Sequence, residues 1–549
     1  MYRNHSLFVV LNVYPPRRNL LTIGFPLLFA FSTIYIKSAG GEDLYPMEML
    51  QYIGYITAVY GTLLSLGLFI PKSNLRKLYF LLLFLILLLP FGSLWFYYSI
   101  SGNFIQSDTL MAILQTNSGE SQSYLKDHLN GKSLLVCFTT IFLFLGFAVS
   151  IKSFPQKSIS SFRNKKSIVL LLIFLVAAGY LLHHGRRNTL ARLYSNTKKY
   201  AQEYKSFSDS KKKRAASLQT LSGISRVQGK GVYILVVGES QNKLHMNAYG
   251  YDRPTTPWLS QMRENENFLF FDKAYSCHTH TVPVLSYALT AKNQYNDISL
   301  ENAASILEVA RAAGYETVWL SNQVRYGAWD TPISVIADEA DRQIWLNHNV
   351  GKTTATDSFD GKLADELKKI EYSDRMLIVI HLMGCHGSYE DRYPADFQIF
   401  HGENKEIDAY DNAVLYNDYV LSQIYEAAET LPHFQSMLFF SDHTDAVDQN
   451  LSHDAGNFVW PMTYIPFYIA TSEEYRKSHG EAIETLKSHK DAVFTNDLIF
   501  NTLLGLMDIR DYPTYEPQND FTKSTYDADA NRFRTLYGKK KISEDLAER

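Results

Sequence analysis

Five long apolar stretches occupy the first third of the 549-residue chain, and the remainder has the mixed composition of a globular protein. Each stretch has, or nearly has, the roughly 17–25 apolar residues that a transmembrane helix requires. A buried core helix can explain one such stretch, but five in succession favour a membrane domain. The pattern therefore predicts five transmembrane helices, at about 20–35, 53–70, 78–98, 134–151 and 168–182.

Positively charged residues flank these stretches asymmetrically. They precede the first stretch and lie between the second and third and between the fourth and fifth, whereas the alternate loops are poorer in cations. By the positive-inside rule, the N-terminus is expected in the cytoplasm. Five crossings would place everything that follows outside the cytoplasm. For a Gram-negative bacterium, this predicts a multi-pass inner-membrane protein whose large C-terminal part is periplasmic. The cations are Arg3, Arg17, Arg18, Lys72, Arg76, Lys77, Lys152, Lys157, Arg163, Lys165 and Lys166.

Strand-like and helical patterns alternate from residue 231 onwards. The strand-like runs are 232–237, 316–320, 375–380 and 437–440, and the clearest helical patterns are 303–313, 361–369 and 411–427. This alternation predicts an α/β domain with a mostly parallel sheet flanked by helices. The predicted organisation is a transmembrane domain at 1–186, a linker at 187–228 and a catalytic domain at 229–549.

The predicted linker is polar and contains the basic run Lys211-Lys-Lys-Arg214. Such a segment can be partly helical and lie along the membrane surface, where it would contact anionic lipid headgroups. A solvated linker without lipid contacts explains the composition equally well. The net charge of −3 gives no indication of nucleic-acid binding.

The chain contains three cysteines, of which Cys137 lies within the fourth apolar stretch. Cys277 and Cys385 belong to the catalytic domain, where an oxidising compartment would permit a disulfide. The sequence leaves open whether they pair or remain free, because the distance between their Cα atoms decides it.

Chemically active residues follow several of the predicted strands. Glu239 follows the first strand, and Asp442 and His443 follow the last. Because the carboxyl ends of parallel strands meet at one edge of the sheet, these side chains are expected to converge. Carboxylates and imidazole are ligands suited to zinc, so the sequence predicts a metal site at this edge.

A second group of candidates lies in the segment Cys277-His-Thr-His-Thr281. By itself this segment is typical of a strand with alternating threonine and histidine. Beside a metal ion, however, Thr279 or Thr281 can act as a nucleophile, since coordination lowers the pKa of a hydroxyl. Three further histidines are candidates to bind phosphate oxygens, ligate a second ion or protonate a leaving alkoxide, namely His381, His386 and His453.

These motifs resemble those of the phosphoethanolamine transferases, membrane enzymes of the alkaline-phosphatase-like superfamily. Gly238-Glu-Ser240, His245-Met-Asn-Ala-Tyr-Gly-Tyr251 and Arg253-Pro-Thr-Thr-Pro257 resemble the opening signature of the family. His381-Leu-Met-Gly-Cys-His-Gly387 and Ser441-Asp-His443 resemble the later signatures. The segment Leu114-Gln-Thr-Asn117, with Glu120, resembles the part of a periplasmic loop, near 101–132, that helps to hold the lipid donor.

The resemblance implies a role for each matching residue. Glu239, Thr281, Asp442 and His443 would ligate zinc, one ion firmly, with a second ion during turnover left open. Thr281 would be the nucleophile, because family members commonly carry Cys-Gly-Thr-x-Thr here and use the second threonine. His386 and His453 would surround the transferred group. Substrate would be bound by Thr116, Asn117, Glu120 and His381.

The implied reaction is the transfer of phosphoethanolamine from phosphatidylethanolamine to an acceptor in the cell envelope. The acceptor would be lipopolysaccharide, at lipid A or the core, or another glycan, and a phospho-threonine would be the intermediate. The protein would contact membrane lipids and act as a monomer. The chain also departs from the family: His278 and His280 replace small residues, Tyr287 stands near an expected cysteine, and Asp442-His-Thr-Asp445 replaces Asp-His-Gly-Glu.

Three other functions are compatible with parts of this pattern. A phosphoglycerol transferase of the lipoteichoic-acid-synthase type shares the five spans and the metal-bound threonine, but the opening signature argues against it. A sulfatase would need a cysteine or serine nucleophile and a nearby arginine, whereas this chain has Thr281-Val-Pro-Val-Leu285. A catalytically inactive membrane sensor is the third, and tightly bound zinc would argue against it.

Overall fold

The computed structural model describes eleven segments of the chain, which are 20–40, 45–67, 69–116, 121, 124–125, 129–151, 165–184, 189–220, 229–324, 332–347 and 358–548. The chain divides into two compact units. The first comprises Met1–Leu110 and His128–Lys199, and the second comprises Met111–Asp127 and Tyr200–Arg549. The predicted donor-binding loop therefore contributes residues 111–127 to the second unit.

Each of the five apolar stretches coincides closely with a helix. Among the described residues, α3 and α5 are long and apolar enough to cross a membrane. The helices up to residue 220 are α1 Leu20–Ala39, α2 Pro46–Gly67, α3 Ser73–Ser101, α4 Ser107–Gln115, α5 Gly131–Ser150, α6 Lys165–His184, α7 Thr189–Asp209 and α8 Lys211–Thr220.

Aromatic side chains hold the helices of the first unit together. The rings of Phe84 on α3 and Phe147 on α5 stack with their centroids 3.9 Å apart. Phe25 on α1 lies 4.7 Å from Phe84, so three helices meet at one aromatic cluster. Such rings bury a large apolar area, which stabilises contacts between helices that have few polar groups. Cys137, also on α5, is exposed on the helix surface.

The predicted linker is helical at α7 and α8, and its basic run includes a deeply buried side chain. Arg214 donates to Glu308 at 3.0 Å and to Glu339 at 2.7 Å, and its guanidinium lies 4.0 Å over the ring of Phe207. Only 3% of the Arg214 side chain is exposed. The two interpretations of the basic run, lipid contact or free solvation, are therefore wrong for Arg214, because two buried carboxylates supply its partners.

The second unit is built on a seven-stranded sheet with the order β2-β8-β7-β1-β6-β4-β5. The five strands from β7 to β5 are parallel, and β8 is antiparallel to both β7 and β2. The strands of this sheet are β1 Gly231–Gly238, β2 Phe268–Phe270, β4 Glu316–Val324, β5 Arg342–Asn347, β6 Arg375–His381, β7 Phe434–Ser441 and β8 Phe467–Thr471. The prediction of a mostly parallel sheet is confirmed.

The remaining elements cover the sheet and close the C-terminal part of the chain. Two small sheets pair β3 Ala274–Tyr275 with β9 Phe494–Thr495, and β10 Arg534–Thr535 with β11 Lys540–Lys541. The helices are α9 Pro257–Met262, α10 Thr281–Ala288, α11 Ile306–Ala312, α12 Pro332–Ala337, α13 Gly361–Leu367, α14 Lys405–Glu429, α15 Glu473–Ser478, α16 Gly480–Ser488, α17 Ile499–Leu506 and α18 Ile542–Glu548.

Successive residues of β1 point into two separate hydrophobic cores, one on each face of the sheet. Cys277 belongs to one core and Cys385 to the other, and both thiols are free. The question that the sequence left open is thus answered, because the sheet separates the two sulfur atoms. The nucleophile segment also differs from the strand that its alternation suggests: β3 ends at Tyr275, and Thr281 begins α10.

Candidate active site

Glu239 stands where the central strand β1 ends and the chain turns sharply. The next residue, Ser240, has a φ of 54°, in the left-handed region that few non-glycine residues adopt. The Ser240 hydroxyl donates to Glu239 Oε1 at 2.8 Å, and the Ser240 amide donates to Asp442 Oδ1 at 3.2 Å. The turn therefore fixes the Glu239 carboxylate beside the end of the neighbouring strand.

Asp442 and His443 directly follow β7, which pairs with β1 in parallel register. The Asp442 amide donates to Gly238 O at 3.1 Å, so the two strand ends remain side by side. The His443 Nε2 atom lies 3.2 Å from Glu239 Oε1 and 3.3 Å from Asp442 Oδ2. The predicted convergence of strand-end side chains thus occurs in the structure.

Thr281 completes this cluster from a different element, as the first residue of α10. Its hydroxyl oxygen lies 3.2 Å from Glu239 Oε2 and 3.1 Å from His443 Nε2. Thr279, the other candidate nucleophile, is fully buried, and its hydroxyl has no hydrogen-bond partner among the described residues. The geometry therefore joins Thr281 to the candidate metal ligands.

The ligand atoms of Glu239, Asp442 and His443 lie within 4.8 Å of one another, and all three residues are buried. Burial raises the pKa of Glu239, and burial together with Glu239 raises the pKa of Asp442 to about 7. Burial likewise lowers the pKa of His443 to about 4, which favours the neutral imidazole that ligates metals. Asp442 Oδ2 accepts no hydrogen bond within the described part of the chain. Two adjacent buried carboxylates with such an atom fit a bound cation.

A second polar group adjoins the cluster around His443. Asp445 accepts from Tyr389 at 2.7 Å and lies 2.6 Å from His453 Nδ1, and the rings of His443 and His453 are 4.2 Å apart. Burial by itself would lower the pKa of His453, but the Asp445 carboxylate raises it to about 9. His443, Asp445 and His453 form a further set of three potential ligands.

The other two predicted histidines follow β6 and occupy different surroundings. Burial, followed by the charges of Arg392 and His453, lowers the pKa of His386 to about 3. His381 is buried with its ring 5.8 Å from that of Trp319. Neither ring nitrogen of His381 has a hydrogen-bond partner in the described segments.

The predicted donor-binding residues are only partly described. The Thr116 hydroxyl donates to Ala112 O at 2.7 Å at the end of α4. Asn117 and Glu120 lie outside the described residues.

Two residues that were not predicted to act at the site hold its parts in place. Asn496 donates to Asp442 O at 2.6 Å and accepts from the Cys277 amide at 2.9 Å, which links the ligand turn to the nucleophile segment. Tyr410 donates to Ser240 O at 2.6 Å and thereby anchors α14 to the Glu239 turn. No local sequence pattern around Asn496 indicates its role.

Comparison with known proteins supports the fold and indicates the enzyme family. The family model described as Sulfatase matches residues 232–509. The chain is 25% identical over 421 residues to the phosphoethanolamine transferase EptC of Escherichia coli O18:K1:H7, covering 70% of this chain and 72% of that protein. It is 27% identical over 331 residues to the phosphoethanolamine transferase EptA of Helicobacter pylori, covering 56% and 60% respectively.

Two solved structures resemble this fold. The membrane protein EptA of Neisseria meningitidis, a lipooligosaccharide phosphoethanolamine transferase, superposes with a TM-score of 0.62 at 18% identity, covering 92% of this chain and 98% of that one. The C-terminal periplasmic domain of E. coli EptC, solved in complex with Zn, gives a TM-score of 0.52 at 24% identity, covering 58% and 94%. The likeness to EptA includes the N-terminal helical region.

Proposed function

We propose that this protein is a phosphoethanolamine transferase. The chain belongs to the sulfatase family, whose model matches residues 232–509. The observation that carries the proposal is the position of Thr281, whose hydroxyl lies against both Glu239 and His443. A sulfatase would need a cysteine or serine at this point to form its formylglycine. A threonine hydroxyl instead supports the formation of a covalent phospho-enzyme.

We propose that the cation of this site is zinc, held by Glu239, Asp442, His443 and Thr281. The mixture of carboxylate oxygen and imidazole nitrogen suits zinc, and the related EptC domain was solved with this metal. When bound, the ion lowers the pKa of a coordinated hydroxyl and stabilises negative charge on the phosphoryl oxygens.

The reaction proceeds in two displacements at phosphorus. The Thr281 oxygen attacks the phosphorus of phosphatidylethanolamine, the bond to the diacylglycerol oxygen breaks, and that oxygen takes up a proton. An oxygen of the envelope acceptor then attacks phospho-Thr281 and releases the threonine. We propose that His386 and His453 bind phosphoryl oxygens or supply the proton. The 2.6 Å contact between His453 Nδ1 and Asp445 supports an orienting role for Asp445. The acceptor is a lipopolysaccharide or another envelope glycan, and the protein acts as a monomer.

Intact mass spectrometry of the detergent-purified protein tests the covalent step. After incubation with phosphatidylethanolamine, the wild type is expected to gain one phosphoethanolamine group, and Thr281→Ala is expected to gain none. Thr279→Ala is the matched control and should react like the wild type, because the Thr279 hydroxyl forms no hydrogen bond with the ligand residues.

The other outcomes are equally informative. A gain of mass from phosphatidylglycerol instead would indicate a phosphoglycerol transferase. No adduct from either lipid in the zinc-loaded protein would contradict the proposal and favour an inactive sensor. An adduct that persists in Thr281→Ala would move the nucleophile to another residue.

We further propose that α1, α2, α3, α5 and α6 cross the inner membrane, with the N-terminus cytoplasmic and the second unit periplasmic. The distribution of cations supports this orientation. In a Cys137→Ser background, Leu129→Cys should react with a membrane-impermeant maleimide in cells whose outer membrane is permeabilised. Lys72→Cys should react only after lysis. The reverse pattern would contradict the topology.

A further inference from the structure

The last fifteen described residues form a segment that holds the chain just before the nucleophile. This segment, residues 534–548, comprises the hairpin of β10 and β11 and the helix α18, and we call it the C-terminal clamp. It lies beyond the residues that the family model matches. It contacts four consecutive residues of the nucleophile segment. The pairs are Tyr275 with Asp545 at 2.8 Å, Ser276 with Thr535 at 2.9 Å, Cys277 with Leu536 at 2.9 Å and His278 with Tyr537 at 4.7 Å between ring centroids.

The turn of the clamp adopts an uncommon backbone conformation. Leu536 and Tyr537 have φ values of 54° and 55°, and Gly538 has a φ of 83°. A bulky side chain in the left-handed region costs roughly 1–3 kcal/mol, which the surrounding contacts must offset. The Leu536 amide donates to Cys277 O, and the Gly538 amide donates to Gln294 Oε1 at 3.0 Å. The strained turn is therefore fixed from both sides.

The Tyr537 ring contacts the nucleophile segment and the helices α10 and α7. The ring lies 5.5 Å from that of Tyr287 on α10 and stacks at 5.9 Å on that of Tyr200 on α7. The ring centroid of His278 lies 5.4 Å from that of His280. The His280 ring centroid lies 5.8 Å from that of His453. Tyr537 thus touches both the segment before Thr281 and the helix that Thr281 begins.

We propose that Tyr537 is a positioning residue that keeps Thr281 at attacking distance from its ligand cluster. The free thiol of Cys277 leaves this segment without a covalent restraint, so the clamp supplies the restraint through packing and hydrogen bonds. A shift of about 1 Å in a nucleophile can cost roughly 100-fold in rate. This inference rests on the proposed transfer function.

The test compares Tyr537→Asn with Tyr537→Phe in the full-length, zinc-loaded protein. Asparagine tolerates the left-handed conformation, so it removes the ring without increasing the strain of the turn. Tyr194→Asn is the matched control, because Tyr194 is exposed on α7. Single-turnover formation of the phosphoethanolamine adduct is followed by mass spectrometry at several concentrations of phosphatidylethanolamine.

Tyr537→Asn is expected to slow adduct formation roughly 10- to 100-fold at saturating lipid, with zinc content and half-saturating lipid concentration unchanged. Tyr537→Phe should restore the rate to within about twofold, because the ring makes the contacts with His278 and Tyr287. A wild-type rate in Tyr537→Asn would overturn the proposal. The proposal would also be overturned if Tyr537→Asn were slow because it had lost zinc and Tyr537→Phe did not restore the rate of adduct formation.

Hydrogen exchange of the peptide containing residues 276–281 provides a readout that does not require turnover. Its amides should exchange faster in Tyr537→Asn than in the wild type, and equal exchange would overturn the proposal. If the wild type forms no adduct, the proposed function fails, while the exchange experiment still decides whether the clamp holds this segment.

Discussion

Gly384 shows how closely the candidate site is packed at the level of a single residue. It has a φ of 53°, and a Cβ atom added there would lie 2.7 Å from Glu239 O and 2.9 Å from Glu239 N. Because both neighbours are backbone atoms, the collision cannot be relieved by rotating a side chain. Only glycine therefore allows the loop after β6 to support the turn that carries Glu239.

The substitution Gly384→Ala is expected to displace Glu239 and to reduce both zinc content and adduct formation by at least about tenfold. Gly250→Ala is the matched control, since Gly250 has a φ of 100° but no atom within 4 Å of the added Cβ. Alanine at position 250 strains the backbone, but its Cβ meets no neighbouring atom. Zinc content and adduct kinetics of the two variants therefore separate the effect of backbone strain from that of the collision with Glu239. Full zinc binding and activity in Gly384→Ala would contradict this explanation.

Tyr389 is expected to affect the transfer rate indirectly, because its hydroxyl donates to Asp445, which contacts His453. Tyr389→Phe removes a 2.7 Å hydrogen bond to Asp445 and leaves the contact between Asp445 and His453 in place. We expect the steady-state transfer rate to fall about three- to tenfold, in keeping with a net cost of about 1 kcal/mol for one lost hydrogen bond. Asp445→Asn should be more damaging, and the exposed Tyr419→Phe should be neutral. Equal rates in Tyr389→Phe and the wild type would show that Asp445 does not need this donor.

The sequence was informative about residues that belong to strand ends and motifs. Glu239, Asp442 and His443 were predictable because parallel strands bring their carboxyl ends to one edge of the sheet. Asn496 was not, because it follows the two-residue strand β9 and reaches the site only through tertiary packing. The contact between Tyr537 and His278 spans more than half of the catalytic domain in sequence, and no periodicity encodes it.

At the level of elements, the positions of the central strands followed from their apolar runs, whereas three strands of the seven-stranded sheet were not predicted. Phe268–Phe270 and Phe467–Thr471 are short and pair in the antiparallel part of the sheet, and Arg342–Asn347 lies at its edge. The sequence predicted α8 as part of a partly helical linker. It did not predict that α8 packs within the second unit through Arg214, Glu308 and Glu339. The partners of Arg214 lie about a hundred residues away, and a basic run is usually solvated.

The docking of α8 gives the stability of the second unit a specific dependence on pH. Burial, followed by the nearby Glu308, raises the pKa of Glu339 from 4.5 to about 8. The folded protein therefore keeps a proton that the unfolded chain releases at lower pH, and the unfolding free energy falls as the pH rises through this window. Glu339→Gln should remove this contribution.

The stability of Glu339→Gln relative to the wild type is therefore expected to increase between about pH 5 and pH 8, by on the order of 1–3 kcal/mol. Urea unfolding of the full-length proteins in detergent, followed by fluorescence, measures this difference. Glu366→Gln, at a partly exposed carboxylate on α13 that pairs with Lys369, should show no such trend. A difference that stays constant with pH would mean that Glu339 is ionised in the folded protein throughout.

For the molecule as a whole, the metal site should contribute to stability as well as to chemistry. Glu239 and Asp442 place two buried carboxylates side by side, and a cation that binds only the folded state stabilises it by about 4 kcal/mol at a thousandfold excess over Kd. Removal of zinc with a chelator should therefore lower the melting temperature, and added zinc should restore it.

Magnesium should not replace zinc in this experiment, because it disfavours imidazole ligands. Asp442→Asn should respond little to chelator or zinc, since it lacks one of the ligands. If the melting temperature of the wild type did not change on chelation, the cluster would not be a site of tightly bound metal.

The free thiols on opposite faces of the central sheet have a consequence for how the protein can be made and handled. Many secreted domains lose their structure in millimolar glutathione or dithiothreitol, because those reagents open their covalent cross-links. This chain has three cysteines and all are free, so such reagents have no bond to break. We therefore expect its maturation to require no disulfide oxidase or isomerase. The catalytic domain should consequently fold in a reducing cytosol, and in cells that lack an oxidative folding pathway.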